Sequence, residues 1–330
     1  MEILTENPSL VLPPSIATIG CFDGVHRGHR YLIQQVCEAA VKRGLHTTLI
    51  TFPIHPRQVM QADYQPQLLS CLPQKTALLK QLQADYCLML PFTHELSRLS
   101  AKEFMNMLHE QFNIQALLIG YDHRFGHNRS EGFQDYCRYG KELGMEIIQA
   151  QALIENGVSI SSSIIRKLLK EGNVKDANHF LGYSYYLDGK VVNGYKVGRT
   201  LGFPTANLRP SCPDKLIPEE GVYAVHVYLK EQRFAGMLNI GHRPTLNNGS
   251  DLSIEVHILD FNADIYDQSM RIEFVQRIRT EQKFTGLNEL IEQLQQDRKE
   301  VRKLLLEGYV IYFTQICKSK LNISFFDNFQ

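Results

Sequence analysis

The stretch CFDGVHRGH, residues 21–29, follows the apolar run SIATIG (15–20) and precedes a helical pattern with Leu32, Val36 and Ala40 at i, i+4 and i+8. A strand that turns directly into a helix leaves the helix's first backbone N–H groups unsatisfied and partially positive, and an anion sits readily there. Glycines at 20, 24 and 28 permit close approach. His26 and His29, three apart, share one face of the entering turn, where both imidazoles can donate to oxygens that gain negative charge. A lone histidine at such a hinge reads as a loop residue or a helix cap. The pattern H-x-G-H inside G-x-F-D-G-V-H, at a strand-to-helix turn, favours the anion site.

Outward from that turn, HTTLITF (46–52), DYCLML (85–90), QALLIG (115–120) and MEIIQA (145–150) are short, β-branched or Leu-rich, and bounded by polar residues, Gly or Pro. They read as buried strands. Between them, QKTALLKQLQ and SAKEFMNMLHEQF read as helices, the second opened by a capping-box spacing at Ser100 and Glu103. Alternating βα units predict a parallel sheet covered on both faces, with ligands beyond the carboxyl ends of its strands. Gly20–His29 lies at such an end.

After about residue 185 the pattern changes. GVYAVHVYLK (221–230), RFAGMLNI (233–240), LSIEVHILDF (252–261) and MRIEFVQRI (270–278) alternate apolar with polar residues between turn-rich links. This predicts an antiparallel sheet closed into a small barrel, with GLNELIEQLQQDRKEVRKLLL (286–306) as a long amphipathic helix on it. The boundary falls near LGYSYYLDG (181–189), giving domains at 1–184 and 185–306 and a carboxyl-terminal extension, 307–330, with no functional reading.

The 330 residues, 44% hydrophobic, suffice for two cores. Lys+Arg and Asp+Glu both number 35, which argues against a nucleic-acid partner. The seven cysteines (21, 37, 71, 87, 137, 212, 317) are scattered without a C-x-x-C pair, as in a reducing cytoplasm. No basic-then-apolar leader opens the chain, and nowhere do about 18 apolar residues run together, so no membrane association is expected. A homo-oligomer is left open.

The turn at 21–29 resembles the nucleotidyltransferase signature, and in its extended form the bacterial bifunctional riboflavin kinase/FAD synthetase family. TFPIHP (51–56) is similar to the family's TFxPHP, GYDHRFG (120–126) to G-x-[DN]-F-x-F-G, and ISSSIIRKLLKEGNV (160–174) to ISSTxIRxxLxxGxV. In the second half, GKVVNGYKVGRTLGFPTAN (189–207) resembles GxVVxGxxxGRxLGFPTAN, NIGHRPT (239–245) resembles NIGxxPT, and IEVHILDF (254–261) the segment carrying a catalytic carboxylate. The resemblance covers about 15–305. It implies a Rossmann-like nucleotidyltransferase domain and a barrel kinase domain, with riboflavin, FMN and ATP as small-molecule substrates, FAD as product, and Mg²⁺.

For adenylyl transfer the resemblance implies His26, His29 and Arg166 as catalytic donors, with Ser161, Ser162 and Ser163 around the triphosphate. Ser161–Ser163 also read as an N-cap, and a cap site is an anion site as well. Gly20, Phe22, Asp23, Gly24, Gly28, His55, Asp122 and Arg124 complete the ATP- or flavin-binding set. Asp23 reads rather as a residue closing its loop through backbone N–H groups, and Asp122 equally as an Asx turn or the holder of a metal-bound water. For the kinase, Glu255 matches the base, Thr205 and Asn207 offer oxygens to Mg²⁺, and Gly198, Arg199, Gly202, Phe203, Pro204 and Asn207 line the nucleotide. A glutamate on an alternating strand otherwise faces solvent. His123, Ser163, Asn193 and Tyr183-Ser184 depart from the family pattern. A single-activity adenylyltransferase with an inactive, flavin-binding barrel is the alternative.

Overall fold

A computed structural model describes residues 1–5, 11–61, 63, 65–127, 130–194, 197–244 and 250–307. The extension at 307–330 is therefore described only at Glu307, and Cys317 and Thr245 of the NIGHRPT stretch also lie outside the described residues. The chain forms two compact units. The first comprises Met1–Arg166, Phe180–Gly182 and Asp214–Leu216; the second comprises Lys167–His179, Tyr183–Pro213 and the chain from Ile217 onward.

The first unit carries strands β1 (Glu2–Thr5), β2 (Ser15–Ile19), β3 (His46–Thr51), β4 (Tyr86–Met89), β5 (Ile114–Ile119) and β6 (Glu146–Gln149). All pair in parallel, in the order β1-β4-β3-β2-β5-β6. Helices α1 (Arg27–Arg43), α2 (Pro56–Met60), α3 (Leu72–Lys80), α4 (His94–Arg98), α5 (Ala101–Phe112) and α6 (Phe133–Leu143) fill the connections, and a hairpin of β7 (Ile154–Glu155) and β8 (Val158–Ser159) leads to α7 (Ser162–Lys170), whose residues after Arg166, with most of α8 (Val174–Leu181), are counted in the second unit. Neighbours along β2 point to opposite faces, as strand geometry requires. Ile16 packs with Val36, Ala39 and Ala40 of α1, while Ala17 packs with Phe104, Met105 and Leu108 of α5. The sheet order turns between β2 and β5, so the crevice beyond their carboxyl ends is the topological switch point, and residues 20–29 leave β2 into it.

The second unit is a closed antiparallel barrel of β9 (Tyr186–Val192), β10 (Ala206–Pro210), β11 (Gly221–Leu229), β12 (Gln232–Pro244), β13 (Ser250–Ile258) and β14 (Ser269–Arg279), ordered β10-β13-β12-β11-β14-β9 and sealed by β9–β10 pairing. A short helix, α9 (Val197–Thr200), precedes β10. The long helix α10 (Leu287–Arg302) lies against β12 and β14 and widens into a π-helical turn at Lys303–Glu307, where the sequence pattern suggested one continuous helix. Val301 and Leu305 join Val222, Ala224 and Met237 in the core beneath it. Buried Asp297 takes Arg279 of β14 in a two-pronged ion pair, Nη2 to Oδ2 at 2.9 Å and Nε to Oδ1 at 3.1 Å, which ties the helix to the barrel.

Several elements escape the periodicity reading, β1, β9 and the β7–β8 hairpin among them. β1 is a half-exposed edge strand of four residues. β9 carries Asp188 and Gly189, residues that signal a turn, yet a Cβ on Gly189 would collide with the Arg209 carbonyl of β10. The glycine is there because two backbones approach closely. The β7–β8 hairpin has two-residue strands. Among the described residues no helix is long and apolar enough to cross a membrane, and none of the six described cysteines is in a disulfide.

Candidate active sites

In the first unit, His26 is the N-cap of α1: its Nδ1 accepts from the His29 amide at 3.3 Å. The two imidazoles stack, with centroids 3.6 Å apart and planes at 19°. Burial lowers the His26 pKa to about 4, and burial together with the charges of Lys75 and Arg166 and the neighbouring His26 ring lowers that of His29. Both rings are neutral at physiological pH. An accepting Nδ1 then puts the His26 proton on Nε2. Among the described residues, the Nδ1 of His29 is buried without a hydrogen-bond partner. Phe22, itself buried, meets the His29 ring edge-on at 5.4 Å.

The loop beneath these rings is strained. Phe22 and Val25 have φ of 47° and 39°, a region L-residues seldom occupy, and Gly24 has φ of 79°. Asp23 holds it there. Its carboxylate accepts from the Leu69 amide at 2.9 and 3.0 Å, from the Ser70 amide at 2.9 Å and from Ser70 Oγ at 3.3 Å, while the Gly24 amide donates to Ser70 Oγ at 2.8 Å. The backbone-bound role of Asp23 is thus what the structure contains, and the same carboxylate also receives Arg166 Nη2 at 2.6 Å. Arg166 Nε donates to the Gln67 carbonyl at 2.8 Å, and Ser162 Oγ donates to the Asp23 carbonyl at 3.0 Å. Ser161 Oγ accepts from the Ile164 amide as a cap, and Ser163 is exposed. Gly28 has no room for a side chain, because a Cβ would stand 2.8 Å from the Ile160 carbonyl; a Cβ on Gly20 would press on the Phe22 ring at 3.0 Å.

Beside this loop an aromatic cavity of about 290 Å³ is lined by Phe52, Phe92, Phe104 and Phe125 with Arg57 and Arg124. His123 also lines it, so the histidine that departs from the family's Phe falls in an aromatic wall. His55 caps α2, accepting from the Arg57 amide, and faces a smaller cleft with Asp23, Ser70 and Lys75. Asp122 is exposed on the turn after β5 and lines neither cavity.

In the second unit the ladder itself assembles a site. Asn207 of β10 lies directly opposite Glu255 of β13, and Asn239 of β12 lies opposite Glu255 on its other side. Thr205, two residues before Asn207, places Oγ1 3.2 Å from the Glu255 carboxylate. Glu255 is half-buried, unlike the solvent-facing glutamate of a plain alternating strand. Pro204 accepts from the His257 ring through its carbonyl at 2.8 Å, the proton residing on Nδ1 in that tautomer. A cleft of about 490 Å³ opens beside Thr205 and Pro204, bordered by Arg199 and Tyr266. Gly198 abuts the Phe203 carbonyl, Gly202 takes φ of 79°, and Phe203 is buried in the core under α10.

The FAD synthetase family model matches residues 10–164, and the riboflavin kinase family model matches residues 181–305. A bifunctional riboflavin kinase/FMN adenylyltransferase of Escherichia coli (strain K12) is 37% identical over 290 residues, covering 87% of this chain and 92% of that protein. The chain belongs to the bifunctional riboflavin kinase/FAD synthetase family. A relative of the same description from Bacillus subtilis (strain 168) is 35% identical over 289 residues, covering 87% of this chain and 91% of its own. A crystal structure described as a macrolide-efflux protein from Streptococcus pneumoniae is similar with a TM-score of 0.81 at 29% identity, over 92% of this chain and 99% of that one.

Within the family frame, the buried Lys75 was not singled out by the motifs. Lys75 of α3 is 7% exposed and donates through Nζ to the Phe52 carbonyl at 2.7 Å and to the Cys21 carbonyl and Thr51 Oγ1, both at 3.3 Å. It therefore ties the loop leaving β2 to the loop leaving β3. The available signal is its place on the buried stripe of α3 with Leu78 and Leu79, where an apolar residue would be expected.

Proposed function

We propose that the barrel domain, about 185–306, phosphorylates riboflavin with ATP to give FMN and ADP, and that the amino-terminal domain, about 1–184, transfers the adenylyl group of a second ATP to FMN, giving FAD and pyrophosphate. The observation that carries the bifunctional reading over an adenylyltransferase with an inactive barrel is the Thr205–Glu255 contact with Asn207 opposite, a second assembled polar site.

In adenylyl transfer the FMN phosphate, with its second pKa at about 6, is already mostly dianionic near neutrality and needs no base. Its oxygen bonds to the α-phosphorus of ATP as the bond to pyrophosphate breaks. Donors do the rest: His26 through Nε2–H, His29, the first amides of α1, the hydroxyls of Ser161–Ser163 and the fixed charge of Arg166. Neutral histidines can donate to a phosphate without adding the desolvation cost of two more buried cations. The unpartnered Nδ1 of His29 supports a ligand contact there, since buried polar atoms are otherwise satisfied. The aromatic cavity next to the loop suits an apolar, planar flavin ring, with Arg57 and Arg124 at its polar edge.

In the kinase reaction Glu255 takes the proton of the ribityl hydroxyl while that oxygen bonds to the γ-phosphorus and ADP departs. Thr205 hydroxyl, Asn207 amide oxygen and Glu255 carboxylate are hard oxygen donors, and so few of them fit Mg²⁺, which keeps water and phosphate oxygens in its shell. When bound, Mg²⁺ would neutralise charge on the phosphates. Arg199 borders the adjoining cleft for the nucleotide.

One assay tests the reading: protein, riboflavin, ATP and Mg²⁺, followed by chromatography of the flavins. FMN followed by FAD is expected. FAD formed only when FMN is supplied would leave the single-activity alternative, and no flavin product from either substrate would overturn both.

A further inference from the structure

Residues 67–70 work as a strut with two loaded edges. On one edge the Leu69 and Ser70 amides hold the Asp23 carboxylate and the Gln67 carbonyl holds Arg166 Nε. On the other edge sits Asp214–Leu216, a segment that packs in the first unit although it lies within the stretch matched by the riboflavin kinase model. The Leu68 amide donates to the Asp214 carbonyl at 2.8 Å, and the Leu216 amide donates to the Leu68 carbonyl at 2.9 Å. Between these bonds Lys215, 6% exposed, donates through Nζ to the Leu69 carbonyl at 2.8 Å and to Gln74 Oε1 at 2.6 Å. Gln74 in turn accepts from the Cys71 amide, at the start of α3.

Lys215 thus grips the Leu69 carbonyl, which shares one peptide plane with the Ser70 amide that grips Asp23. Peptide geometry is nearly rigid across each plane, so a carbonyl fixed on one side limits the rotation available to the amide on the other. We infer that Lys215 is a positioning residue for adenylyl transfer, acting through the 67–70 strut on Asp23 and Arg166. The inference rests on the first unit being the adenylyl-transfer unit. Its distinctive content is that a lysine embedded in the kinase half of the sequence serves the other reaction. Without the ammonium, the Leu69 carbonyl and Gln74 are left as buried acceptors without it, and the strut can shift by fractions of an ångström, enough to misplace donors aimed at a transition state.

The test is Lys215→Met in the full chain, with both reactions measured on one sample. FMN adenylylation should lose about 10- to 100-fold in kcat, with the KM for FMN unchanged because the aromatic cavity is not part of the strut. Riboflavin phosphorylation should stay at the wild-type level. Hydrogen exchange of β2 and β5 should remain protected, separating misplacement from unfolding. In an Asp23→Asn background most of the Lys215→Met effect should vanish, because both changes act on one element. Unchanged adenylylation, equal loss of both activities, lost protection of β2 and β5, or an undiminished effect in the Asp23→Asn background would each overturn the inference. A wild-type chain that makes no FAD from FMN would instead sink the underlying functional reading.

Discussion

The two sites hold their polar groups in place by different means. At the end of β2, the donors belong to stretches remote in sequence, and side chains join them: Asp23 to the amides of 69–70, Arg166 to Asp23, Ser162 to the Asp23 carbonyl, Lys75 to two loop carbonyls. On the barrel, the strand ladder does this work. Asn207, Glu255 and Asn239 sit in one row across β10, β13 and β12, and Thr205 reaches Glu255 from the approach to β10. A loop between a strand and a helix has no ladder to define its side chains, so buried ion pairs and strained backbone must be over-determined by surrounding bonds. A strand site inherits its spacing from pleat and register. The first site should therefore be sensitive to residues outside its motifs, and the second mainly to its own.

The sharpest break of this comparison is Glu255→Gln. The exchange keeps size and hydrogen bonding but removes a proton acceptor, so riboflavin phosphorylation should fall roughly 10²–10⁴-fold while adenylylation of supplied FMN continues. Wild-type phosphorylation would return Glu255 to the status of a strand residue.

Next in size is His29→Ala. Loss of one donor at a developing charge should lower FMN adenylylation about 10²–10³-fold and let FMN accumulate from riboflavin. Flavin chromatography reads both products, and undiminished FAD would remove the stacked histidines from the chemistry.

The smallest effect is on stability against pH. Burial holds the His26 pKa at about 4 in the folded unit, against the ordinary value of 6.5 expected of the unfolded chain. In that window the unfolded chain binds a proton that the folded unit does not. Stability from this group is thus complete above about 6.5 and declines as pH falls toward about 4. His226 on the barrel, likewise lowered to about 4 by burial, adds the same trend to the second unit. Urea titrations followed by hydrogen exchange in each unit should show His26→Gln flattening the acid slope of the first unit alone; an equal change in both would mean that the histidines do not report on separate units.

Much of this was legible in the sequence because it is local. Strands β2 to β6 of the sheet, the turn at 20–29, the capping box of Ser100 with Glu103 and the four long barrel strands each appear as a period or a cap within a short window. His26, His29, Thr205 and Asn207 could be named from motif spacing, whereas Glu255 could be named only from the family resemblance. What short windows could not contain are the partners. Asp23 meets Leu69 across 46 positions, Arg166 across 143, and Lys215 meets Leu69 across 146. The half-exposed β1 and the Gly189 of β9 were hidden for a related reason: an edge strand is defined by its neighbour, and a strand glycine by the backbone that crosses it. Periodicity and turn chemistry, which act over a few residues, determined the elements and the identities of the polar groups. Closure of the sheet and barrel alone decided which buried charge meets which loop, because desolvated ions and backbone amides choose partners by proximity in space, and that proximity exists only after the chain has folded.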